Sequence, residues 1–207
     1  MKEALFYEKL ENKKVKCVLC PHECYIKEGS TGICKQRKNI DGTLYTLNYG
    51  KISSYGNDPI EKKPLYHFKP KTNVFSIGSL GCNFCCKFCQ NYSISLENPE
   101  TIQLSSDDII NIAIKYDSPG IAFTYNEPTI WYEFMYDIAV KAKEKGLYNV
   151  MVTNGFIKLE PLRKLLEVID AFNIDLKSFN DQYYQRMCGG HIDPVLESIQ
   201  TATKSCH

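Results

Sequence analysis

From Val74 onward the chain repeats one pattern, a short apolar run ending in polar or special residues and then a stretch of helical spacing. The runs are "VFSIGSL", "GIAFTYNEP", "NVMVTNG" and "AFNIDLKS". Strands separated by helices of this length cannot pair as hairpins. They are therefore expected to lie parallel, in a sheet left open or closed into a barrel. Ser106 is expected to cap the first helix, with Asp107 and Asp108 in its first turn and Ile109, Ile110, Ala113 and Ile114 on its apolar face. A second helix is expected from Pro128, burying Ile130, Trp131, Phe134, Met135, Ile138 and Ala142 and closed by Gly146. Pro161 suits the first turn of a third, which carries Leu162, Leu165, Leu166 and Ile169. In such folds ligands gather where the strands end. Those ends hold Gly78, Gly81 and Cys82, then Thr124, Tyr125, Asn126 and Glu127, then Thr153, Asn154 and Gly155, and last Asp175, Lys177 and Ser178. Four such ends on one rim predict a site.

At 207 residues the chain is long enough for one domain with a small appendage. Charge is balanced, 25 Lys and Arg against 24 Asp and Glu, which argues against nucleic acid or an acidic membrane surface as partner. The start, MKEALFYEKLENKKVK, lacks a signal-peptide core, and no apolar run reaches the roughly 18 residues of a membrane span. A cytoplasmic location is expected. Residues 1–70, with short strands and turns rich in Tyr, Gly and Pro, read as an irregular N-terminal extension on a core of residues 71–207.

Eight of the ten cysteines fall in two clusters, which in a reducing compartment means metal ligation or redox chemistry. Cys188 and Cys206, outside them, read as packing. In "GCNFCCKFCQN" the thiols group either as two C-x2-C pairs or as C-x3-C-x2-C with Cys85 left over. Adjacent side chains diverge on extended backbone, so Cys85 and Cys86 are not expected to share a metal. Zinc knuckles also need a spacer between their pairs. The remaining set, Cys82, Cys86 and Cys89, is one thiolate short of a four-iron cluster and leaves one iron open for catalysis. Cys17, Cys20, Cys24 and Cys34 make a C-x2-C-x3-C-x9-C pattern sufficient for zinc or a second iron-sulfur cluster. His22, within it, could replace a thiolate, although a surface histidine is the simpler reading.

The three-cysteine motif after a first β-strand, with Phe88 before its last cysteine, resembles the signature of the radical S-adenosylmethionine (SAM) superfamily. "CVLCPHECYIKEGSTGICKQR", "DPIEKKPLYHF", "GCNFCCKFCQNYSIS", "FTYNEPT", "VTNGF", "IDLKSF" and "GGHIDPVLESI" resemble the radical SAM enzyme of the AmmeMemoRadiSam system, a relative of pyruvate formate-lyase activating enzymes. Cys85 and Lys87 stand where relatives often have Arg and Pro. The resemblance implies a partial (βα) barrel, about four of about six βα units. It implies a [4Fe-4S] cluster on Cys82, Cys86 and Cys89, and SAM cleaved reductively to a 5'-deoxyadenosyl radical that takes hydrogen from an unknown substrate. It further implies SAM contacts from Phe88, from Tyr125, Asn126 and Glu127 toward the amino group, and from Asn154, Asp175 and Lys177 toward ribose and carboxylate. Implied partners are an electron donor such as a flavodoxin or ferredoxin, and Memo-like or AMMECR-like proteins of the same system. The alternatives are a glycyl-radical enzyme activase and a non-catalytic iron-sulfur or zinc protein. "DPVLESIQTATKSCH" reads as a helix with no strand after it, so the natural chain is expected to continue by on the order of 100 residues.

Overall fold

The computed structural model describes residues 1–205; Cys206, read above as packing, lies outside them. Its main sheet has five strands, β1 (Ser54–Pro59), β2 (Asn73–Gly78), β3 (Gly120–Phe123), β4 (Tyr148–Thr153) and β5 (Ala171–Ile174), in the spatial order β5-β4-β3-β2-β1. β2 to β5 are parallel, as the alternation requires, and β1 adds an antiparallel edge with Ser54 opposite Gly78 and Pro59 opposite Asn73. β3 is buried along its whole length, and β2 everywhere but Asn73, as expected of strands covered on both faces.

Helix α1 (Ser106–Lys115) is capped one residue earlier than expected, and Ser105 forms the capping box. The Ser105 hydroxyl accepts from the Asp108 amide at 3.1 Å and the Asp108 carboxylate accepts from the Ser105 amide at 2.8 Å. Ile109, Ile110 and Ala113 are buried, but Ile114 faces solvent, against expectation, because it lies past the edge of the apolar stripe. The stretch from Pro128 is two elements rather than one. A 3-10 turn (Pro128–Trp131) accepts the Glu127 side chain as its cap, and α2 (Tyr132–Glu144) follows. Gly146 closes α2 at φ +72°, where a side chain would be strained. α3 (Leu159–Leu166) and α4 (Asp193–Ser205) follow, with Leu162, Leu165, Val195 and Ala202 buried, and two single helical turns lie at Tyr92–Ser95 and Asp181–Tyr183. No helix among the described residues is long and apolar enough to cross a membrane.

The first 52 residues form short antiparallel ribbons: Lys2–Glu3, Thr43–Thr46 and Arg37–Ile40 in one sheet, Tyr7–Lys9, Val15–Cys17 and Tyr25–Ile26 in another, and Lys51–Ile52 against Ile102–Gln103. Phe6, Val15, Leu19, Ile26 and Leu44 join the same buried cluster as Phe75, Ile121 and Phe134. Two ion pairs fasten this stretch to α2, Lys2 with Asp137 nearer the surface and Arg37 with Glu133 in the interior. Arg37 Nη2 donates to both carboxylate oxygens of Glu133, at 3.0 and 2.8 Å, with both side chains almost fully buried. Oε1 also accepts from the Leu5 amide at 2.9 Å.

Removing one partner of a buried pair strands the other charge, which costs far more than the pair contributes. Glu133→Ala should therefore lower the unfolding free energy in urea by about 3–5 kcal/mol. The double variant Arg37→Met with Glu133→Leu should recover most of that loss; equal losses in the two proteins would show that the pair does not act through charge burial.

Candidate functional site

The loop leaving β2 turns sharply at Gly81, whose φ is +89°, and a Cβ there would fall 2.7 Å from Gln36 Cγ. Asn126, just past β3, fixes that loop: its Oδ1 accepts from the Ser79 amide at 2.8 Å and its Nδ2 donates to the Gly81 carbonyl at 3.0 Å. Further along, the Cys85 amide donates to the Cys188 carbonyl at 2.8 Å and the Lys87 amide to the Met187 carbonyl at 2.9 Å. The loop thus docks on a single π turn (Tyr184–Cys188), a form often found at functional sites. The Cys89 amide closes a tight turn onto the Cys86 carbonyl at 3.1 Å.

This folding brings Cys82, Cys86 and Cys89 to the lining of one cleft of about 750 Å³, while exposed Cys85 lies outside the lining, against Gly189. Cys188, buried, packs against Cys86. Phe88, Tyr125, Asn126, Glu127, Asn154, Asp175 and Lys177 line the same cleft. Burial drives the Cys82 thiol well up in pKa, with the Glu127 carboxylate adding to it, and burial followed by Cys188 pushes Cys86 up to about 12. Left alone these are neutral thiols, and a bound metal centre is the group that would hold them as thiolates. Three thiols lining one cavity supply the number and kind of ligand that an iron-sulfur cluster with one open position takes, although among the described residues they are not arranged around a single ion.

The polar residues divide into those already committed and those facing the cleft with capacity left. The Asn126 amide is spent on the loop. Glu127, buried, accepts from the Thr129 amide at 3.0 Å and the Thr153 hydroxyl at 2.7 Å through Oε1, and from the Asn154 amide at 2.8 Å through Oε2. Burial nevertheless raises its pKa. Asn154 donates to Asn83 Oδ1 at 2.8 Å and reaches Cys82 Sγ at 3.7 Å. Lys177, at the mouth, pairs with Asp175 at 2.8 Å; burial works against its charge, but Asp175, Cys86 and Glu127 outweigh it and raise its pKa. Phe88 is half exposed and its ring lies 6.0 Å from that of Tyr183. Tyr125 sits at φ +69°, a strained conformation for a bulky residue. Asn91 holds its carbonyl at 2.8 Å and Asp58 accepts its hydroxyl at 2.8 Å.

Asp58, Lys62 and Lys63 also line the cleft, and the sequence reading gave them no role. Their signal was an acid followed at the fourth and fifth positions by lysines inside "DPIEKKPLYHF". Asn83 was also overlooked; it donates to the Phe156 carbonyl at 2.8 Å and couples the cysteine loop to the segment that follows β4.

Cys17, Cys20, Cys24 and Cys34 surround one small cavity of about 20 Å³ beside Arg37. Burial pushes the thiols of Cys20 up to about 12 and Cys34 up to about 11. Their present arrangement is not closed on an ion: among the described residues no group of three or more His, Cys, Asp or Glu has the geometry to hold one. His22 lines the same small cavity as these four thiols. It is half-buried, with Nε2 2.7 Å from the Asn83 carbonyl and its ring edge-on to Phe156.

The sequence of residues 76–207 matches the family model of the radical SAM superfamily. An uncharacterized protein of Methanocaldococcus jannaschii is 50% identical over 207 residues, covering 99% of this chain and 61% of that protein. The pyruvate formate-lyase 1-activating enzyme of Escherichia coli is 26% identical over 117 residues, covering 53% of this chain and 47% of its own length. A solved structure of TYW1 with a lysine-pyruvate adduct bound superposes with a TM-score of 0.39 at 19% identity, over 61% of this chain and 50% of that one. The chain thus spans between about half and three fifths of the length of these proteins.

Asp58 gives the cleft a measurable acid response. Burial opposes its charge, but hydrogen bonds from Lys63, Tyr125 and Lys62 prevail and lower its pKa from 3.8 to about 2. A lowered carboxylate pKa contributes stability that is complete above the unfolded value and is lost as pH falls through the folded one. Thermal unfolding followed between pH 6 and pH 2 should show wild type and Asp58→Asn converging below pH 4, with the wild type more stable above it. Parallel curves across that window would remove Asp58 as the titrating group.

Proposed function

The chain belongs to the radical SAM superfamily, and we propose that it is a SAM-cleaving enzyme whose reactive centre is the cleft lined by Cys82, Cys86 and Cys89. The family implies a [4Fe-4S] cluster and SAM, which together supply a reductively generated 5'-deoxyadenosyl radical for hydrogen abstraction. The observation that carries the proposal is geometric: of four thiols within eight residues, three line the cleft at the strand ends and Cys85 does not.

In this reading the protein places the cluster and cofactor and keeps water away. The docked loop fixes the three thiols. Asn154, within reach of Cys82 Sγ, stabilises a thiolate there by donating toward it. Glu127 lines the cleft with a carboxyl group, the kind of acceptor suited to an ammonium group, and its three donors hold it rigid. The Lys177–Asp175 pair at the mouth offers a cation and a carboxylate for the carboxylate and ribose of SAM. The activating-enzyme relative favours an activase as a second reading, with a protein as substrate. Either reading needs a one-electron donor, for which a flavodoxin or ferredoxin is proposed, and a role beside Memo-like and AMMECR-like proteins is the finest form of the proposal.

A zinc ion or second cluster at Cys17, Cys20, Cys24 and Cys34 is a separable part of the proposal. It is supported by the turn-like spacing and the shared cavity, and loading would require the thiol side chains to move.

Two measurements test these assignments. After anaerobic reconstitution with a reductant and SAM, the wild type should release 5'-deoxyadenosine. Cys82→Ala, Cys86→Ala and Cys89→Ala should each lose both the cluster absorbance and that product, and Cys85→Ala should keep both; bleaching by Cys85→Ala but not Cys86→Ala would overturn the ligand set. In the triple variant lacking Cys82, Cys86 and Cys89, metal analysis should still find zinc or iron. A folded but metal-free triple variant would remove the second site.

A further inference from the structure

The charges lining the cleft do not balance locally. Lys177 is matched one to one by Asp175 at 2.8 Å, and the Glu127 carboxylate is taken up by Thr129, Thr153 and Asn154. At the β1 edge two ammonium groups share a single carboxylate: Lys62 lies 3.1 Å from Asp58 Oδ1 and Lys63 lies 2.9 Å from Oδ2. The Tyr125 hydroxyl also donates to Oδ2, drawing further on the same oxygen. Lys63 is only 4% exposed at its side chain, and beyond Asp58 it has the Tyr125 ring, whose centroid is 4.7 Å away. An ammonium so far from water needs a full counter-charge, and half a carboxylate leaves it short. Lys62, by contrast, is 65% exposed at its side chain and lines the same cleft, so it is free to swing onto a newcomer.

We propose that Asp58, Lys62 and Lys63 form an anion subsite that receives a carboxylate or phosphate group of the substrate, opposite the pair of residues assigned to SAM. This rests on the reading of the cleft as the SAM cavity. Asp58 orients both lysines and Tyr125, and the incoming anion supplies the missing negative charge. The subsite therefore selects substrates with an anionic end. Lys62 is the specificity residue because it is the mobile member, and Lys63 is the fixed one.

The test uses the full reconstituted chain and two probes, sodium phosphate and sodium succinate, titrated against sodium chloride at matched ionic strength while thermal unfolding is followed. A ligand that binds only the folded protein raises its melting temperature. One or both probes should raise that of the wild type beyond chloride. Lys62→Gln should raise the half-maximal concentration about tenfold, as expected for losing one charge-assisted hydrogen bond, and Lys62→Glu should abolish the response. A response to phosphate alone assigns a phosphate-bearing substrate; one to succinate alone assigns a carboxylate. No anion-specific response in the wild type, or equal responses in wild type and Lys62→Glu, overturns the subsite. SAM affinity is measured in parallel by equilibrium dialysis. If Lys62→Glu loses SAM binding together with the anion response, the subsite belongs to the cofactor and the substrate assignment is overturned. If the wild type binds no SAM while its anion response still depends on Lys62, the anion site stands and only the reading of the cleft as a SAM cavity falls.

Discussion

Parallel pairing is the constraint on which this site depends. Once Phe75 sits beside Ile121 and Ala122 beside Val150, every strand from β2 to β5 must finish on the same rim. The chain then delivers Ser79, Thr124, Thr153 and Asp175 side by side without any further interaction. The cost of that arrangement is a set of polar groups brought into a dry place, and such groups are tolerated only when hydrogen bonded. Asn126, Glu127, Asn83 and Asn154 meet that demand for one another and for the adjoining backbone. The same web that satisfies the rim therefore also holds the cysteine loop still.

The N-terminal stretch takes part in this support. His22 contacts the Asn83 carbonyl, and the Cys34 carbonyl and Gln36 crowd the inside of the Gly81 turn so closely that only glycine fits. The buried Arg37–Glu133 pair anchors that stretch to α2, directly behind β3. Isolated surface pairs contribute little, whereas this one fixes a single arrangement of ribbon on helix. Residues before β1 thus form the back of the loop that carries Cys82, Cys86 and Cys89, although they supply none of the three thiols themselves.

What the sequence disclosed follows the range of the interactions involved. The four strands were legible because periodicity is local. So was the polar character of every strand end. The capping of α1 was misplaced by one residue because Ser105 and Ser106 are chemically alike, and only the reciprocal bond with Asp108 separates them. The break after Trp131 was hidden because the apolar stripe runs through it unbroken. Asn126 and Glu127 could be read as candidates from their place at a strand end, but their commitment to Ser79, Gly81, Thr153 and Asn154 depends on neighbours far along the chain. Asp58, 67 positions before Tyr125, could be assigned only after the sheet had brought β1 alongside β2.

Tyr125 shows how the two ends of the cleft are joined. A bulky residue at φ +69° stores strain, and that strain persists only if the surroundings enforce it. Three contacts do so here. Gly78 leaves room, since a Cβ there would lie 2.9 Å from Tyr125 Cβ. Asn91, two residues after Cys89, grips the Tyr125 carbonyl, and Asp58 grips its hydroxyl. The main chain of Tyr125 is thereby tied to the cysteine loop and its side chain to the lysine pair. A shift of Asp58 toward or away from Lys62 and Lys63 must act on the Tyr125 ring, and through a backbone with little freedom it must act on Asn91. The two hydrogen bonds of this one residue therefore join Asp58 and its lysines to the loop that carries the thiols.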